Sequence, residues 1–180
     1  MKKFPLHKAF TFLEPGPVLL IGTRDKGKNN IMTLSWSMVM DFTPQFAFLT
    51  GPWNFSYAAL TKTKECVISV PTVEMAQTVV KIGDCCGADT DKFKKFNLTP
   101  LAAQNVKAPL IKECLANIEC RVTDHIKKHN IFVLEALAAW YEPRHKEKRT
   151  IHAVGDGTFI TDGHKINLRK FMADKLPPGV

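Results

Sequence analysis

Apolar positions in this chain fall into short runs fenced by turn-forming residues, a spacing that suits strands better than long helices. Pro17 to Thr23 (Pro-Val-Leu-Leu-Ile-Gly-Thr) is apolar and β-branched, and Asp25-Lys26-Gly27-Lys28 follows it directly. That order predicts a strand entering a hairpin. Asn30 to Trp36 is the return leg, mixing apolar and hydroxyl residues. Phe46 to Thr50 forms a third run, bounded by Pro44 before it and Gly51-Pro52 after it.

A helix is expected after Asn54, capped by Ser56 and carried by Ala58, Ala59 and Leu60, before a fourth strand at Cys66-Val67-Ile68-Ser69-Val70. Pro71-Thr72 announces a second helix that runs from Glu74 to Val80 and stops at Gly83. From Gly83 to Pro109 turn residues dominate, with a short helical piece around Asp91-Lys92-Phe93. Ile118 to Thr123 alternates apolar and polar residues, as a strand buried on one face requires. Ile131 to Tyr141 reads as a long strand despite Ala136, Ala138 and Ala139, and Phe159-Ile160 as a final short one. Many short strands with few helices between them imply a mainly β fold, an antiparallel barrel with helical additions. At 180 residues, with no linker, repeat or low-complexity tract, one domain spanning 1–180 is expected. The polar segment from Asp162 onward would pack on the body or on a partner subunit.

Composition narrows the function classes. With 45% hydrophobic and 23% charged residues the chain is ordinary for a folded soluble protein. No apolar run approaches the ~20 residues of a membrane span. Met1 to Lys8 is basic but lacks an apolar stretch behind it, so a cytoplasmic address is expected. A net charge of +8 favours phosphate-bearing partners and leaves a nucleic-acid-binding barrel as one alternative. No basic-aromatic strand pattern supports that alternative, however, and no nucleic-acid partner is expected. The run Arg144 to Arg149 reads as a solvated loop. Five cysteines without a Cys-x-x-Cys pair suit reduced thiols serving as small buried hydrophobes; no metal site is expected, and redox activity of the adjacent Cys85-Cys86 pair is the alternative.

The stretch Asn30-Ile31-Met32-Thr33-Leu34-Ser35-Trp36-Ser37 packs an amide, hydroxyls and an indole beside a strand end. Such a set suits a phosphorylated aromatic ligand, with polar groups on its edge and apolar ones over its ring. Alternatively Met32, Leu34 and Trp36 point into the core and the hydroxyls face water. Asn54 and Ser56 stand where a helix begins after a strand, a place for either a phosphate or simple capping. Lys92 offers a cation there, or a mere surface charge. His129 opens the strand from Ile131 and could meet a ligand at a barrel rim, or be solvated. Glu135, odd in so apolar a run, faces outward, pairs with a cation or bonds a buried group. No nucleophile–base pair or glycine-rich phosphate loop stands out, which favours a cofactor that brings its own reactivity.

These residues carry a resemblance. Pro17 to Thr23, Asn30 to Trp36, Cys66-Val67-Ile68-Ser69-Val70-Pro71, Asp91-Lys92-Phe93 and His129-Asn130-Ile131-Phe132 together resemble the flavin reductase-like family, and within it the flavoredoxins. The resemblance implies an FMN-binding split β-barrel, antiparallel and Greek-key-like, acting as a flavin-dependent oxidoreductase or electron carrier, with a flavin-binding protein without turnover of its own as the alternative. It further implies a homodimer with FMN near the subunit interface, residues Thr33 to Trp36 against the flavin, and Asn54, Ser56 and Lys92 toward its phosphate. The histidine matching His129 lies near the nicotinamide side of the flavin in pyridine-nucleotide-dependent members. Here Lys127-Lys128 replace the Gly-Asp that commonly precedes it, a departure that suits either an anionic donor or a redox partner protein in place of NAD(P)H.

Overall fold

The computed structural model describes residues 16–41 and 43–171. The readings of Met1 to Lys8 and of the extreme C-terminus lie outside them. β1 (Leu19–Asp25), β2 (Lys28–Leu34), β3 (Ser37–Val39) and β4 (Gln45–Leu49) precede α1 (Ser56–Thr63) and β5 (Glu65–Val70). Then come α2 (Ala76–Gly83), α3 (Lys92–Lys95), β6 (Pro100–Leu101), β7 (Leu110–Ile111), β8 (Ala116–Ile126), β9 (Ile131–Tyr141), β10 (Ile151–Ala153) and β11 (Phe159–Thr161).

Seven strands form one antiparallel sheet in the order β2-β1-β5-β8-β9-β4-β3. β2 and β3 stand at opposite ends of that order, yet only Ser35 and Trp36 separate them in sequence. Two residues reach no more than roughly 10 Å, so the sheet must curl until its edges nearly meet. Leu49 N–H donates to Trp36 O at 3.0 Å, which carries the β3–β4 ladder up to the seam. This is the split barrel, and Ser35 and Trp36 bridge its split.

The β1–β2 turn uses Lys26 and Gly27 at φ 48° and 80°, the two left-handed residues that a tight hairpin of this twist requires. Register then sorts side chains to two faces. Leu19, Ile21, Met32 and Leu34 point inward with Phe48, Phe132 and Leu134, while Leu20 and Ile31 point outward to meet Val79, Ile82 and Phe93. Leu60 of α1 plugs the inner core and α2 covers the outer one. Each fully buried aromatic or aliphatic side chain contributes roughly 1.5–3 kcal/mol, so both faces hold β1 and β2 in place. The β8–β9 ladder shifts register between Glu119 and Cys120 and again between Val122 and Asp124, the bulges that bend long strands around a barrel.

Several elements differ from their sequence-based outlines. The second helix opens as a 3-10 turn at Val73–Met75, and Gly83 is its last helical residue rather than a left-handed stop. Its glycine serves proximity: a Cβ there would lie 3.6 Å from Thr33 Cβ, which is how closely α2 approaches β2. Three-residue β3 and β10 are too short for a periodicity to show. Glu135 faces outward and pairs with Arg121 at 2.6 Å across β8–β9. Residues 144–149 form a loop, with Arg144 and Arg149 holding Glu142 and Glu147. Residues 162–171 are exposed.

Candidate functional site

Where β2, the start of α1 and the α2–α3 connection converge, they enclose a cavity of about 300 Å³. Its polar wall includes Asn30, Thr33, Asn54, Ser56, Asp84 and Lys92. Lys92 is only 4% exposed, against the expectation that a lone lysine sits on the surface. Its ammonium donates to Ile31 O and Ile82 O, both at 2.9 Å. Topology explains those partners. β2 is an edge strand with carbonyls facing away from β1, and Ile82 lies in the last turn of α2, where carbonyls lack intrahelical donors. An ammonium has three N–H groups, so one remains for the cavity. Burial pushes the Lys92 pKa down, while nearby Cys85 and Cys86 oppose that shift. No carboxylate pairs with Lys92 among the described residues. A buried, uncompensated cation beside a polar cavity is a site for an anion.

Asn30 Nδ2 donates to Ser56 Oγ at 2.8 Å, and Asn54 Nδ2 to Thr50 Oγ1 at 3.0 Å. Neither Asn54 nor Ser56 caps α1: its N-cap is Phe55, with no side-chain cap bond. Simple capping therefore does not explain these two residues. Thr33 Oγ1 donates to Val79 O at 2.6 Å, tying the cavity floor to α2. Gly87 closes the opposite wall, and a Cβ there would overlap the Asn30 carboxamide oxygen.

An adjoining hollow of about 170 Å³ shares Thr33, Trp53 and Asn54 with the first and adds Leu34, Ser35, Trp36 and Leu49. It lies on the barrel's seam. Met32 and Leu34 do enter the core, as the alternative reading held, but Trp36 stays 57% exposed at the mouth. Trp53 folds its indole over Gly51, where any Cβ would collide with the ring. Eight of the nine residues singled out from sequence thus line two adjoining hollows: polar, cationic space in one, and two indoles and two leucines among hydroxyls and an amide in the other.

His129 lines neither hollow. It sits exposed in the turn at Lys127–His129, which is tied to the rim because Thr50 N–H donates to Asn130 O at 3.1 Å. Cys66, Cys114 and Cys120 are buried as expected, but Cys85 is half-buried and Cys86 exposed, and both line the larger cavity. Their reading as buried hydrophobes is corrected. Gly87 was also missed, since its role comes from an amide 57 positions away in sequence.

Comparison with known proteins places the family and the fold. The model of the flavin reductase like domain matches residues 12–156. A protein of Pyrococcus abyssi is 33% identical over 141 residues, covering 75% of this chain and 79% of that one. Another, from Archaeoglobus fulgidus, is 37% identical over 113 residues, 61% of this chain and 64% of its own length, so the match spans less than two thirds of that relative. Among solved structures, flavoredoxin of Desulfovibrio vulgaris (Miyazaki F) superimposes with TM-score 0.83 at 22% identity, covering 93% of this chain and 96% of that one. Flavoredoxin from Methanosarcina acetivorans gives 0.78 at 25%, over 93% and 95%. From residue 12 to residue 156, then, this chain belongs to the flavin reductase-like domain family.

Proposed function

We propose that the chain binds FMN across the two adjoining hollows and passes electrons through it, as a flavin reductase or a flavoredoxin-type carrier. One observation carries this reading: buried Lys92, with no carboxylate partner among the described residues, opens on a cavity whose polar wall is amides and hydroxyls together with Asp84. The residues fit the group. A phosphate would take the remaining Lys92 N–H and the Ser56 and Asn54 side chains, and an aromatic ring would lie in the seam among Thr33, Leu34, Ser35 and Trp36. When bound, FMN would supply two-electron chemistry of its own. The protein's own part is to bind, orient and shield. Thr33 and Asn30 are fixed by Val79 O and Ser56, so the wall is preformed.

Trp36, Trp53 and Phe55 are exposed at this mouth, and Met38, Val39 and Met40 are exposed along β3 and just beyond it, a strand that starts beside Trp36. Such an apolar rim supports a second copy of the chain closing the site, as a homodimer. Electrons would arrive from NAD(P)H or a redox partner protein past the exposed Lys127–His129 turn, with His129 as the donor contact.

The first test is an absorbance spectrum of the purified protein, followed by anaerobic NADH or NADPH. A flavin band near ~450 nm that bleaches is the expected result for a reductase. A yellow protein that stays oxidised with both nucleotides, yet bleaches with a reduced carrier protein, supports the flavoredoxin-type role. Protein that is colourless and fails to take up added FMN overturns the flavin reading.

A further inference from the structure

Cys85 and Cys86 stand on the wall of the larger cavity, in the connection between α2 and α3. Cys85 Sγ has partners for both of its protonation states. As a thiol it donates to Lys81 O at 3.2 Å, and as a thiolate it can accept from Lys95 Nζ at 3.1 Å. Reactive cysteines are found partly exposed beside a cation, as Cys85 is beside Lys95, whereas buried ones such as Cys66, Cys114 and Cys120 are inert. Cys86 Sγ accepts from Ala88 N–H at 3.4 Å, an arrangement that shapes the turn carrying Gly87 onto Asn30. Lys81, Lys94 and Lys95 are exposed around this connection, interleaved with exposed Asp84, Asp89 and Asp91, so the cation that bears on the sulfur is Lys95.

We infer that Cys85 is a disulfide-exchange site on the cofactor cavity, taking small anionic disulfides, and that its adduct and a ligand beside Lys92 exclude each other. The Cys85 thiolate attacks one sulfur of the disulfide. The S–S bond breaks, a Cys85–S–S–R mixed disulfide forms, and the other half leaves as RS⁻, taking up a proton from water. No net oxidant is needed, because the incoming disulfide is the oxidant. Exclusion follows from place: Cys85 and Lys92 line one cavity of about 300 Å³, and a tripeptide-sized adduct on its wall leaves no room for a phosphate and its tether. By linkage, the factor by which the adduct weakens the ligand is the factor by which the ligand weakens adduct formation at equilibrium. This exclusion rests on the flavin reading, whereas the exchange itself does not.

The test uses wild-type full-length protein, oxidised glutathione as probe, and intact-mass and peptide mass spectrometry, with FMN binding measured before and after. One glutathione adduct on Cys85, removed by dithiothreitol, is the expected result, with FMN affinity at least tenfold lower in the adduct and restored on reduction. Saturating FMN should suppress the adduct. Lys95→Ala should slow modification about threefold, since the ammonium 3.1 Å from the sulfur also draws an anionic disulfide to it. No adduct, or one confined to Cys86, Cys66, Cys114 or Cys120, overturns the assignment. Adduct on Cys85 with unchanged FMN affinity overturns the exclusion. If unmodified protein binds no FMN while Cys85 still reacts, the flavin reading fails and the exchange site stands.

Discussion

Replacing Lys92 with methionine separates what this residue does for the fold from what it does for a ligand. The substitution keeps the aliphatic length but removes both bonds at 2.9 Å, leaving Ile31 O and Ile82 O buried without a donor. An unsatisfied buried carbonyl costs about 1–3 kcal/mol, and part of that is regained because an ammonium no longer has to be desolvated. A net loss of about 2–4 kcal/mol is expected, or roughly 4–16 °C in Tm for a domain of this size. Binding loses a separate amount. A charge-assisted bond to phosphate contributes about 1.5–3 kcal/mol, so FMN should bind roughly 10–150-fold more weakly. Riboflavin, lacking the phosphate, should lose almost nothing. The assay is flavin fluorescence quenching for both ligands on both proteins, at a temperature where the variant is folded. Equal losses for FMN and riboflavin would refute the phosphate role and leave Lys92 as a purely structural tie.

Gly87→Ala should push the Asn30 carboxamide off Ser56, because the added Cβ would sit 2.6 Å from Asn30 Cγ and 2.7 Å from Phe55 Cδ1. FMN affinity at least tenfold lower and a lower Tm are expected; wild-type values for both would disprove the close packing. Glu119 is fully buried, and although burial alone would raise its pKa, the Gln104 and Asn105 N–H groups and the Trp140 indole outweigh it and hold it below the usual carboxylate range. With the folded pKa below the unfolded one, its stabilisation is present above the ordinary carboxylate range and lost as pH falls through the lowered value. Glu119→Gln should therefore flatten the acid limb of a urea-unfolding pH series. Val39→Asp, on the exposed β3, should leave the fold within about 0.5 kcal/mol but shift sedimentation from dimer to monomer.

How much of this was legible in sequence depended on whether the signal was local. The β1–β2 hairpin was readable because Lys26-Gly27 marks a turn and the strands beside it are apolar. β9 was readable to its ends despite three alanines. The stretch from Asn30 to Trp36 was singled out for its chemistry, and the curl of the sheet explains why it matters: those residues run up to the seam. Lys92 was named as a cation for the site or a mere surface charge, and the resemblance favoured the first, but its burial was not visible, since its partners lie 61 and 10 positions away. Gly87 and the cysteines share that difficulty. A vicinal cysteine pair looks the same in sequence whether it faces a core or a cavity.

The same separation along the chain bears on the order in which the molecule assembles. Neighbouring segments make the β1–β2 and β8–β9 hairpins, and closing such short loops costs little entropy. The cavity instead needs β2, the start of α1 and the α2–α3 connection together, across as many as 61 residues. It should be among the last parts to form and the first to open. A ligand held there would then act chiefly as a brake on unfolding, lengthening the native lifetime while leaving the refolding rate nearly unchanged.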